Sequence, residues 1–179
     1  CEICPDAEIV DDLKYGVSTG KEYIEGETWI EDVLNGIKTE WTDLQKIAYI
    51  DNAIGKKVCY APDFGTEVFN HRDARALWKI ISSGYGVCNG IAQIESYMLS
   101  QIGIKAIEVD SRTHGFLILK DIDIPTDRGI IRGDTILDTE YTEIERVTEI
   151  ENEDAIYLVA YQDGQAGLFR NKKVILNHE

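Results

Sequence analysis

With 179 residues, 44% of them hydrophobic, the chain can bury one sizeable core and is most economically a single globular unit. A net charge of −15 leaves no basic patch to neutralise phosphates, which argues against nucleic acid and anionic membrane surfaces as partners. No apolar run reaches membrane-spanning length; the longest, around Ala155 to Tyr161, is strand-sized.

Cys1 and Cys4 form a C-x-x-C with no second pair to complete a zinc site. Three readings fit it: an N-terminal disulfide, a trimmed start, or a mature lipoprotein beginning at a lipidated cysteine. A trimmed start ranks first. Residues 1–40 are acidic and punctuated by Gly16, Gly20, Gly26 and Gly36, so one or two modest helical turns are expected there. They would form an N-terminal extension packing on a domain over residues 41–179.

Thr42-Asp43-Leu44-Gln45 has the form of a capping box, and Leu44, Ile47, Ala48 and Ile54 follow at helical spacing until Gly55 stops the run. Val58 to Pro62 reads as an extended exit, with Cys59 in the core. A second helix is expected from His71 to Ile81, with Ala74, Leu77, Trp78 and Ile81 on its apolar face and His71 as a solvated or capping residue.

The stretch Ser82 to Gly90 is the centre of the chain. Two glycines precede Cys88, and then Ile91, Ile94, Met98 and Ile102 recur at steps of three and four, the mark of one buried helix face. Gly103 stands where a helix C-terminus favours a residue tolerant of positive φ. Cys88 therefore falls in the first turn of a helix, where backbone N–H groups and the helix dipole favour a thiolate. Buried cysteines are more often inert packing, so a nucleophile needs a histidine and a carboxylate as partners.

After this helix the period drops to two, the mark of strands. Lys105 to Asp110 and Thr113 to Lys120 form an expected hairpin, the second strand carrying His114, Phe116 and Ile118 on one face and Gly115, Leu117 and Leu119 on the other. A loop is expected from Asp121 to Asp134, then a third strand from Thr135 to Tyr141 bearing Asp138. Asp121, Asp123 and Asp127 do not keep calcium-loop spacing, so no metal is expected. Glu143 to Asp154 is acidic and reads as a solvated helix or loop. Ala155 to Tyr161 and Leu168 to Leu176 flank an Asp-Gly turn and read as a closing hairpin. Helices followed by antiparallel strands make an α+β fold.

If the second and third strands pair, a carboxylate at Asp138 can orient the imidazole of His114, and the helix packed across that sheet brings Cys88 to the other ring nitrogen. The backbone N–H of Cys88 is a natural oxyanion donor.

In their order, GYGVCNGIAQIESYMLSQIGI, THGFLIL and GDTILDTEY resemble the transglutaminase-like superfamily, bacterial type, over about Trp41 to Tyr141. That resemblance implies a papain-like core with Cys88, His114 and Asp138 as a catalytic triad. Phe116 and Glu140 depart from the common pattern where substrate would pass, so no substrate is carried over. Tyr60 is the candidate oxyanion donor, with Tyr85 and Asn89 as further oxyanion or substrate residues. The expected activity is a cofactor-free, cysteine-dependent acyl transfer on amides of a protein or peptide, with hydrolysis favoured over cross-linking. The alternative is a silent module that binds peptide or cell-wall polymer. An extracytoplasmic, cell-surface setting is expected.

Overall fold

A computed structural model describes residues 8–12, 16–60, 73–110, 115–126, 129–137, 155–158 and 172–175. The fold is α+β. Among the described residues a hairpin of β1 (Glu8–Asp12) and β2 (Gly16–Thr19) leads into α1 (Gly20–Asn35) and α2 (Asp43–Lys57). Next come β3 (Cys59–Tyr60), a 3-10 turn at Asp73–Arg75, α3 (Leu77–Ser83), β4 (Tyr85–Gly86) and α4 (Cys88–Gln101). An antiparallel sheet follows, of β5 (Ala106–Asp110), β6 (Gly115–Thr126) and β7 (Gly129–Leu137) in that order. A second hairpin joins β8 (Ala155–Leu158) to β9 (Lys172–Ile175).

The start of α2 is set by its cap. The Gln45 N–H donates to Thr42 Oγ1 at 3.2 Å, and the Thr42 N–H donates to Gln45 Oε1 at 2.9 Å. Two donors that a helix start leaves orphaned are thereby satisfied. Replacing Thr42 with alanine should cost about 1 kcal/mol. For a chain of this size that lowers the melting temperature by roughly 2–4 °C, readable in a thermal scan.

Three expectations about helices change. Residues 1–40 hold a full helix of 16 residues rather than a turn or two, capped by Thr19 and Glu22 in the same reciprocal arrangement. Gly26 does not break it, because a Cβ there would sit 2.8 Å from Trp78 Cε3. Its missing side chain lets α1 lie close on α3. The expected helix from His71 to Ile81 is instead a 3-10 turn and a separate α3, divided at Ala76, whose backbone is extended and whose side chain is fully buried. His71 lies outside the described residues. Nor does Gly55 end α2, which runs on to Lys57.

The core lies between the helices and one face of the sheet. Ile47, Ile50 and Ile54 of α2, Ile80 and Ile81 of α3, Ile94, Met98 and Leu99 of α4, and Leu117, Leu119 and Ile122 of β6 are the largest fully buried side chains. Each contributes about 1.5–3 kcal/mol on burial. Ile30 of α1 belongs to the same cluster. On β6 the inward face is Gly115, Leu117 and Leu119, as the alternation predicts. A bulge between Leu119 and Ile122, with Asp121 at φ 56°, then shifts the parity so that Ile122 also points inward.

The expected loop from Asp121 to Asp134 is mostly strand. β6 runs on to Thr126, and β7 begins at Gly129. Pro125 is tolerated close to the hairpin end, paired with Ile130. Asp123 forms an exposed ion pair with Arg132 across the two strands at 3.1 Å. The third strand thus starts six residues earlier than the sequence pattern indicated. The closing hairpin is present as β8 and β9, while its turn and the acidic stretch before it lie outside the described residues.

Candidate active site

Cys88 is the first residue of α4. Its N–H is thus among the donors that have no acceptor within the helix, at the positive end of the dipole. Val87 precedes the helix in extended conformation, and its carbonyl accepts the first intrahelical bond from the Ile91 N–H at 2.9 Å. The Val87 N–H donates to the Ala74 carbonyl at 3.1 Å, tying the helix entry to the 3-10 turn. Ile91, Ile94 and Met98 are buried, and Gly103 follows at φ 80° as the spacing required.

Three glycines allow separate backbones to converge here. A Cβ on Gly86 would meet the Ile80 side chain at 2.8 Å. One on Gly90 would run into Ile80 Cδ1 and the Ala74 carbonyl. On Gly115, the first residue of β6, it would lie 2.8 Å from Asn89 Cα and 2.9 Å from Asn89 Cγ. The start of β6 therefore abuts the first turn of α4. Gly115 is the residue that follows His114 in the chain. Leu137, which precedes Asp138, ends β7 and pairs with Leu117 of β6. His114 and Asp138 themselves lie outside the described residues.

Cys88 is 8% exposed and has a carboxamide beside its thiol: Cys88 Sγ donates to Asn89 Oδ1 at 3.1 Å. Tyr60 and Tyr85 sit on the parallel ribbon of β3 and β4, in which Tyr60 pairs with Gly86 and Cys59 with Tyr85. Both tyrosines are exposed, at 38% and 45%. Tyr85 lies in the segment entering α4, three residues before Cys88, and Tyr60 is paired with Gly86, two residues before it. Cys59 was expected in the core and is exposed. A two-residue strand held by backbone bonds, such as Cys59 N–H to the Gly84 carbonyl at 2.8 Å, does not require its side chains to face inward.

Sequence reasoning passed over Glu95, fully buried on α4 seven residues after Cys88. Its signal is a charged residue four positions after Ile91 and three before Met98, inside the apolar stripe. No group of three or more metal-ligating side chains occurs among the described residues. No helix among them is long and apolar enough to cross a membrane.

Substitution of Gly115 by alanine tests the convergence. The new methyl meets the Asn89 backbone as well as its side chain, and the backbone cannot swing aside, so strand and helix must part by some tenths of an ångström. The expected cost is about 1–3 kcal/mol, measured by urea denaturation, together with a changed alkylation rate at Cys88. Neutral stability and an unchanged rate would mean that the close approach is not needed.

No protein-family model matches the chain, and no curated protein does. Among solved structures it is similar to one described as "Crystal structure of a TGase". That similarity has a TM-score of 0.48 at 11% identity, covering 93% of this chain and 46% of the other. The chain thus spans about half the length of that transglutaminase.

Proposed function

We propose that the protein is a cysteine-dependent acyl-transfer enzyme acting on amide bonds of a peptide or protein. Cys88 attacks the carbonyl and a thioester forms; His114, oriented by Asp138, takes the thiol proton and passes it to the departing amine. Water then cleaves the thioester, giving hydrolysis. An amine in its place would give transamidation. The observation that supports this most is the packing of Gly115 on Asn89, since Gly115 is the residue after His114 in the sequence and Asn89 the residue after Cys88. The N–H of Cys88 is the proposed oxyanion donor, with Tyr60, Tyr85 and Asn89 as candidates for oxyanion or substrate contacts. An extracytoplasmic setting is part of the same proposal, resting on the acidic composition.

A second reading has its own observation. Cys88 is largely buried with the Asn89 carboxamide oxygen 3.1 Å from its sulfur, an environment that also suits a packing cysteine. A silent module that binds peptide or cell-wall polymer would look the same. Incubation with a mixed peptide pool, followed by mass spectrometry, separates the two. Cleaved peptides support the hydrolase and cross-linked peptides the transamidase, whereas an unchanged pool supports the module.

A further inference from the structure

Between α3, α4 and β5 lies an open cleft of about 380 Å³, lined by Leu77, Trp78, Gln93, Ser96, Tyr97, Ser100 and Glu108. On α4, Gln93, Ser96, Tyr97 and Ser100 follow helical spacing and form one wall. Leu77 and Trp78 of α3 supply the apolar part of the lining. Several of the polar groups are available as acceptors. The Tyr97 hydroxyl spends its proton on Glu27 Oε1 at 2.6 Å, and the Ser100 hydroxyl spends its own on the Tyr97 carbonyl at 2.6 Å. Gln93 Oε1 is buried and has no hydrogen-bond partner among the described residues. Glu108 offers a carboxylate, and no ion pair to it occurs among the described residues. None of the lining residues is basic.

A buried acceptor without a donor costs free energy that a ligand can restore. The group that supplies donors and no acceptor, carries positive charge and trails a methylene stem is a lysine or arginine side chain. Its stem would lie along Leu77 and Trp78 while its head reaches Glu108 and Gln93. The net charge of −15 draws such a partner in. We infer that this cleft is a docking site for a basic side chain of a peptide. The inference does not depend on the chemistry assigned to Cys88.

The test is titration of the full chain, by calorimetry or NMR, with three blocked tripeptides: acetyl-Gly-Lys-Gly-amide, its arginine counterpart and its norleucine counterpart. Norleucine keeps the stem and loses the charge. Saturable binding of the lysine or arginine peptide is expected, with norleucine about tenfold weaker or worse. The peptide that binds more tightly identifies the head group. Glu108→Gln, an exposed change on β5, should weaken the basic peptide several-fold and leave norleucine unaffected. Gln93→Leu should weaken the basic peptide as well. Equal binding of the norleucine peptide, absence of saturation, or full affinity in a Glu108→Gln protein whose fold is intact by circular dichroism would each overturn the inference.

Discussion

Alanine at Cys88 will abolish amide turnover, with a loss on the order of 10⁴-fold or more in kcat. The sulfur is the only protein atom in the proposed scheme that bonds to the substrate carbonyl carbon, and no neighbouring group can replace it. His114→Ala should cost nearly as much, because the thiol then has no base to take its proton and the departing amine has no acid. Asp138→Asn should cost on the order of 10²–10⁴-fold, through loss of ring orientation and of imidazolium stabilisation. These effects are not additive, since the three residues work as one unit. The double variant of Cys88 and His114 should therefore be no worse than the Cys88 variant alone. Turnover that survives in Cys88→Ala would locate the chemistry elsewhere. The exposed Cys59 is the first place to look.

The largest stability effect is expected at Gly90. In an exposed helix, glycine to alanine gains about 1 kcal/mol, because the backbone loses less freedom on folding. At Gly90 the sign reverses. The new Cβ would collide with Ile80 Cδ1, stand 2.8 Å from the Ala74 carbonyl oxygen and 3.1 Å from Arg75 Cα. Ile80 is fully buried and two of the three neighbours are backbone, so the collision has little room to relax. Overpacking of this kind costs about 1–3 kcal/mol and occasionally more. With two contacts on backbone the upper end applies, and it exceeds the gain in propensity. Gly90→Ala should therefore lose about 2 kcal/mol net, and a valine there more, as read from urea unfolding midpoints. A stabilised Gly90→Ala protein would mean that the 3-10 turn does not press on α4 in solution.

Where local chemistry decides structure, the sequence was readable. The capping box at Thr42, the apolar stripe of α4 with its closing Gly103, and the alternation of Leu117 and Leu119 all appear as anticipated. Misreadings arose where a residue answers to a distant neighbour. Gly26 looked like a helix breaker, yet it serves contact with Trp78, which no local pattern records. Pro125 and Gly133 looked like loop punctuation, yet a hairpin accommodates both, one near its end and one in β7. Cys59 looked like core because its neighbours are apolar, and the short ribbon turns it outward. At the candidate site, Cys88 and Gly115 could be read as helix entry and strand face. That Gly115 lies against Asn89 could not, because it depends on how sheet and helix meet.

The central claim is that Cys88 is held as a thiolate by an imidazole. Its most direct test is the rate of iodoacetamide modification at Cys88 across pH, resolved from Cys59 by peptide mapping, in the parent protein and in His114→Ala. The account predicts a parent profile that inflects well below the ordinary thiol value of about 8.5 and returns toward that value without the imidazole. A parent profile that inflects near or above 8.5 and does not move when His114 is removed would contradict it.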